Sequence, residues 1–115
     1  MKFGTQYEPG EIVLVPFPFS DLSIIKQRPV LVLSKKEDNE ICEDIITCAI
    51  TSNLKEDKYS IFIDNNSLSN GKIPTKSKIK LDKLFTLDKK IVIKKIAKLN
   101  KNTFERVKGE FGKLI

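Results

Sequence analysis

The sequence predicts a mainly β domain closed by one C-terminal helix, and three observations carry that expectation. Short apolar runs rich in β-branched residues recur along the chain, bounded by Gly, Pro or Asn clusters. Two prolines, Pro16 and Pro18, follow the first run directly, where neither can donate to a ladder hydrogen bond. Only the final stretch carries apolar residues at helical spacing, at Phe104, Val107, Phe111 and Leu114.

Taken in order, Ile12–Val15 is a buried strand, and its pairing must end or reach a sheet edge at the prolines. The residues from Phe19 to Ser23 read as a turn, Pro29–Leu33 as a second strand and Ser34–Glu43 as a polar, acidic loop. Ile45–Ile50 is a third strand, with Thr47, Ala49 and Thr51 on one face and Ile46, Cys48 and Ile50 on the other. Tyr59–Ile63 is a fourth strand, followed by the turn-rich "DNNSLSNGK". Ser77–Leu81 is a fifth, with Lys76, Lys78 and Lys80 sharing one face. Leu84–Leu87 and Ile93–Leu99 read as short strands with a helical turn between them. Asn102 and Glu105 have capping-box spacing and place the start of the helix. Its apolar stripe must be buried against the β body or a second subunit, and the body itself is a small barrel or sandwich.

Composition narrows the function classes. At 115 residues the chain is one domain, and 40% apolar with 31% charged residues suits a soluble globular protein. No run approaches the roughly 18–20 apolar residues of a membrane span. The N-terminal residues lack the apolar segment of a secretory signal, so a cytoplasmic protein with reduced thiols at Cys42 and Cys48 is expected. The chain has no histidine, which excludes Cys/His zinc sites and Ser-His-Asp or Cys-His catalysis. Phosphate-binding glycine loops and GxSxG or HExxH motifs are also absent.

The net charge of +6 is unevenly placed. Residues 1–70 hold 7 Lys/Arg against 11 Asp/Glu, and residues 71–115 hold 14 against 4. Such asymmetry points to an acidic partner, nucleic acid first, although surface lysines also serve solvation alone. Against 19 lysines stand only two arginines, and one of them, Arg28, enters a buried strand just before Pro29. Arginine offers a planar, permanently charged fork of donors suited to holding a phosphate in one orientation. A surface ion pair with Glu37 or Asp38 is the simpler alternative.

Four segments then occur in a recognisable order: "GEIV" at Gly10–Val13, "RP" at Arg28–Pro29, "ITS" at Ile50–Ser52 and "SKIKLDKLFTLD" at Ser77–Asp88. With "PFPFSDLS" ahead of "RPVLVLS", they resemble the MazF/PemK-like toxins, small ribonucleases of toxin–antitoxin pairs. The resemblance covers almost the whole chain. It implies a dimeric SH3-like barrel of the CcdB/MazF type, with a C-terminal helix, that cuts single-stranded RNA without a metal or other cofactor. It also implies a cognate antitoxin as partner.

On this resemblance the family's catalytic Arg falls on Arg28 and its Thr on Thr51. A helper Ser maps less closely, to Ser23 or Ser20. RNA contacts are expected from Phe17, Phe19, Ser20, Lys26, Gln27, Ser52, Asn53, Lys76, Lys78 and Lys80. The chain departs from its relatives with Ile24-Ile25 where a loop Gly is common, Lys78 where Val or Ile is common, and Ala97 in place of Gly.

The chemistry suits those residue types. Cleavage by the RNA's own 2′-OH needs an in-line pose, charge stabilisation at phosphorus and two proton transfers. Arg28 supplies the second, and Thr51 aims a hydroxyl from a strand end, where Thr otherwise bonds its own backbone. Asp21 is a candidate base, though it also reads as a turn residue. Two other functions stay open at this level: a barrel that binds without cutting, and a toxin of the same fold acting on a protein such as a topoisomerase.

Overall fold

The structure is a computed structural model, which describes residues 6–18 and 25–115; of Phe17, Pro18 and Ile25 it describes the backbone. Seven strands form one curled antiparallel sheet: β1 (Glu11–Pro18), β2 (Ile25–Val32), β3 (Asp44–Thr51), β4 (Ser60–Ile63), β5 (Leu68–Gly71), β6 (Ser77–Asp88) and β7 (Lys94–Leu99). Their order is β4-β6-β3-β2-β1-β7-β5. Two helices complete the fold, α1 (Lys36–Ile41) and α2 (Lys101–Gly112).

The sheet buries both faces. Ile12, Leu31, Cys48, Ile50, Ile79 and Leu81 lie in one apolar cluster, with Phe104, Val107, Phe111 and Leu114 of the C-terminal stripe packed into or against it. The stripe is therefore satisfied by the β body. A second cluster on the other face holds Val13, Val15, Val30, Val32 and Ile45. This matches the alternation expected for β3, except that Ile46, near the strand's start, is 47% exposed. Cys48 is fully buried, and desolvation pushes its thiol up to about 12, so it packs as an apolar residue.

The prolines behave as their chemistry requires. β1 pairs with β7 only from Glu11 to Leu14, whereas its pairing with β2 continues to Pro18 opposite Ile25. Pro16 and Pro18 thus lie beyond the β7 partner, where one side of β1 has no strand partner among the described residues.

Several boundaries differ from the sequence reading. β2 starts at Ile25, so Lys26, Gln27 and Arg28 are strand residues and not a loop; the hairpin with β1 extends the ladder through them. The acidic segment contains α1, a helix too short to show periodicity. It is held by buried Asn39, whose Nδ2 donates to the Tyr7 and Ser34 carbonyls, each at 2.9 Å. The Ser34 hydroxyl in turn donates to Asn39 Oδ1 at 2.6 Å and accepts from the Ile46 N–H. β6 runs unbroken through Leu84–Leu87, with an irregularity between Lys80, opposite Ala49, and Leu84, opposite Cys48. The helical turn after it is present at Lys89–Ile91. Asn100, not Asn102, caps α2: its side chain accepts from the Thr103 N–H at 2.8 Å, and its Nδ2 donates to the Asn66 carbonyl.

The turn-rich "DNNSLSNGK" supplies a short 3-10 turn and edge strand β5. There Gly71 has φ +75°, and a Cβ would stand 2.1 Å from the Ile96 carbonyl oxygen and 2.5 Å from Ala97 Cα. The partner is backbone, so it cannot swing aside. Gly71→Ala is expected to cost more than about 2 kcal/mol, the left-handed backbone alone accounting for roughly 1–2. Thermal or urea denaturation checks this; an unchanged midpoint means the β5–β7 contact is looser than described.

Candidate active site

The interior of β2 and the end of β3 bring the central pair together. Val30 of β2 lies opposite Ala49 of β3. Two residues further along each strand are Arg28 and Thr51, on the same face by the period of two. Arg28 and Thr51 line one cavity of about 280 Å³, with Pro29, Ile50 and Phe85 among its walls. Arg28 is half-buried and lies opposite Val15 in the β1–β2 ladder, so its backbone is fixed. Neither strand alone could bring the guanidinium and the hydroxyl to one cavity.

Thr51 Oγ1 accepts a hydrogen bond from the Asn53 N–H at 3.1 Å. The backbone bond expected of a strand-end Thr is therefore present. The backbone bond occupies an acceptor lone pair and orients the oxygen, while the hydroxyl proton remains available to donate. Asn53 Oδ1 accepts from the Lys55 N–H at 3.1 Å, so the turn is stitched residue by residue as it leaves β3.

Adjoining cavities extend the site. Gln27 and Ser52 share a space of about 140 Å³ with Arg28, alongside Thr75 and Ser77. On the other side Thr51 and Asn53 share about 350 Å³ with Lys78, Lys80, Glu56 and Asp57. Lys76 lines a further cavity with Ser77, Leu54 and Phe62. Lys26 is exposed, opposite Phe17 in the β1–β2 ladder. Phe19, Ser20, Asp21, Ser23 and Ile24 lie outside the described residues, as do the side chains of Phe17 and Ile25. Among the described residues no group of three or more His, Cys, Asp or Glu could hold a metal ion.

The lysine row on β6 needs correction. Lys76 is exposed, but Lys78 is only 3% exposed, so the three do not form one solvated track. Lys78 Nζ and Lys80 Nζ each lie 2.8 Å from the same oxygen, Asp57 Oδ2. Lys78 also donates to the Lys55 carbonyl, and the Ser60 hydroxyl donates to Asp57 Oδ1. Asp57 thus binds the segment after Thr51 to β6 and β4. The hydrogen bond from Lys78, then those from Lys80 and Ser60, hold its carboxyl well below the ordinary 3.8, and Asp57 raises Lys80 in return. The sequence reading did not single out Asp57, Phe85, Thr75 or Ser77. For Asp57 a signal existed, a charged "KEDK" segment with two carboxylates ahead of a strand with alternating lysines; the other three carry none.

Comparison with known proteins now decides the family. A profile of the PemK-like, MazF-like toxins of type II toxin–antitoxin systems matches residues 8–115. The chain belongs to this family. Comparison with curated proteins gives no significant match. Among solved structures the chain is similar to MazE-MazF from Deinococcus radiodurans, with TM-score 0.77, 20% identity and 96% of each chain covered. It is also similar to an endoribonuclease from Mycobacterial species, with TM-score 0.75, 14% identity, and 97% of this chain and 93% of that one covered. A Mycobacterial endoribonuclease in complex with its cognate antitoxin gives TM-score 0.74 at 14% identity, covering 93% and 92%. At these identities the structural likeness establishes the fold, and the family membership rests on the sequence match.

The Asp57 anchor yields a prediction. A carboxyl whose folded-state pKa is depressed contributes stability that is whole above its unfolded pKa and is lost as the pH falls below about 4. Asp57→Asn strands the buried Lys78 ammonium and should lower the melting temperature at pH 7. Lys78→Met removes the buried charge itself and should cost less. The gap between wild type and Asp57→Asn should narrow as the pH falls below about 4. Melting curves at pH 7 and pH 3 test both points; a larger loss for Lys78→Met would reverse the assignment.

Proposed function

We propose that this toxin is an endoribonuclease that cuts single-stranded RNA at a specific short sequence. The observation that carries the reading is the shared cavity of Arg28 and Thr51. Its chemistry suits a phosphodiester: a guanidinium carried on a paired strand and an oriented hydroxyl line one cavity, in a protein whose residues 71–115 carry a strong positive excess.

In the proposed reaction the 2′-oxygen of the substrate attacks the adjacent phosphorus, and the bond from phosphorus to the 5′-oxygen breaks. The 2′-OH loses its proton and the leaving 5′-oxygen gains one. The products are a 2′,3′-cyclic phosphate and a 5′-OH. Arg28 donates to the non-bridging oxygens as negative charge gathers on them, and Thr51 donates its hydroxyl proton as a hydrogen bond to one of the same oxygens. Among the described residues the Arg28–Thr51 cavity is lined by no carboxylate; the nearest acidic side chains sharing a cavity with Thr51 are Glu56 and Asp57. Ser23 or Ser20 is proposed as the helper hydroxyl from the preceding loop.

Gln27, Ser52, Asn53, Lys76 and Lys80 line the groove on either side and are proposed to contact the RNA, with Lys26 and the loop residues Phe17 and Phe19. Lys78 contributes indirectly, by holding the Asn53–Asp57 segment. The reading includes no metal or cofactor. It also includes a homodimer, a cognate antitoxin that covers the same groove, and a cytoplasmic location. No helix among the described residues is long and apolar enough to cross a membrane.

Arg28→Ala should reduce cleavage by about 10²–10³-fold, the value of one preorganised donor at a developing oxyanion. Its melting temperature should stay close to wild type. Cleavage of a long unstructured RNA, with the ends mapped and tested for cyclic phosphate, reads the first effect. Equal cutting by the variant would remove Arg28 from the chemistry, and a large fall in melting temperature would make it structural. Cleavage should also persist in EDTA, and complete loss there would overturn the metal-free mechanism.

A further inference from the structure

The active-site row does not stop at Thr51. Thr51 lies directly opposite Lys78 of β6, and Lys78 lies directly opposite Phe62 of β4. Directly opposed residues in antiparallel strands project from the same face. Arg28, Thr51, Lys78 and Phe62 therefore form one row across four adjacent strands, β2, β3, β6 and β4. At about 4.8 Å per strand the row spans roughly 14 Å.

Its far end has an unusual surface. Phe62 is 48% exposed on edge strand β4, and Leu54, from the segment after Thr51, is 43% exposed. The two line a cavity of about 290 Å³ with Lys76 and Ser77. Single exposed apolar residues are ordinary, but an open aromatic ring on a sheet edge is a hazard that proteins usually blunt. Here the ring has a second apolar wall and a lysine beside it. The carboxylate in the cavity, Asp64, has one oxygen on the Asn66 N–H, capping the 3-10 turn. Ser77 also lines the space shared by Arg28 and Ser52, so one buried residue of β6 walls both cavities.

We infer that Phe62, Leu54 and Lys76 form a nucleobase subsite, in which an unpaired base of the bound RNA, away from the cut, stacks on the Phe62 ring while Lys76 meets its phosphate. The inference rests on the RNA reading above and adds a binding element that the family match does not supply. An aromatic face accepts any base, so the subsite contributes affinity and register more than sequence choice. Because it lies at the far end of the row from Arg28, it acts on binding and not on the chemical step.

The chain contains no tryptophan, so Phe62→Trp introduces a single fluorescent reporter at the subsite. The probe is a 12-nucleotide, fully 2′-O-methylated RNA of randomised sequence, which cannot be cut. Its titration should quench the indole fluorescence of the Phe62→Trp protein with the same Kd that anisotropy of labelled RNA gives. Phe62→Ala and Phe62→Leu should each weaken binding roughly tenfold, within the range of one lost base stack. Both should raise KM with kcat within about twofold of wild type, and Phe62→Leu, which keeps apolar bulk, should melt like wild type. If wild type binds and cuts RNA but the indole reporter is silent, or the Ala and Leu variants bind as wild type does, the subsite is overturned while the Arg28–Thr51 reading stands. In that case the exposed face belongs to a protein partner. If wild type neither binds nor cuts RNA, both readings fail together.

Discussion

The antiparallel pairing of β3 with β6 is the constraint on which the site depends. It places Thr51 opposite Lys78 and, through the next ladder, Lys78 opposite Phe62. Its irregularity between Lys80 and Leu84 also changes which residues of the long β6 strand face β3. Past that point Leu84 is 46% exposed, whereas Ile79 and Leu81 before it are in the core. A one-residue slip in this ladder would turn every side chain of the row to the other face. The apolar alternation that prevents such a slip, Ile79 and Leu81 against Cys48 and Ile50, is the same alternation that builds the core.

Electrostatics is then layered on that frame in two different ways. Arg28 lines the cavity from a fixed backbone within β2, suited to an incoming phosphate. Lys78 is spent inside the protein, and Asp57 is the counter-charge that makes its burial tolerable. The positive excess of residues 71–115 therefore overstates the charge available to a ligand. Some of it is structural, as with Lys78, and Lys95 is paired to Glu11 at 2.9 Å. What remains for a ligand is a few placed cations more than a diffuse basic surface.

Much of the fold was legible because strand and helix periods are local properties. The buried strands around Ile12, Val30, Ile45 and Ile79 follow from short β-branched runs, and α2 follows from Phe104, Val107 and Phe111 at helical spacing. What escaped the reading was decided by distant partners. Lys26–Arg28 are polar and read as loop, yet the hairpin with β1 draws them into β2. The α1 helix hangs on Asn39, whose partners include Tyr7, 32 positions away. Asn100 and not Asn102 caps α2 because β7 runs to Leu99 and hands the chain directly to the helix.

The sequence by itself determined the class of the protein: a β domain with a closing helix, one of only two arginines set before Pro29, and segments in an order that belongs to one toxin family. These follow from residue identity and spacing, which need no knowledge of contacts. Only the tertiary structure decided that Arg28 and Thr51 line one cavity, that Lys78 is an internal ion-pair partner, and that Phe62 stands at the end of their row. Those facts depend on strand register and on which faces are buried. Register is set by the whole sheet packing against its two apolar clusters, and no local stretch of sequence carries that information.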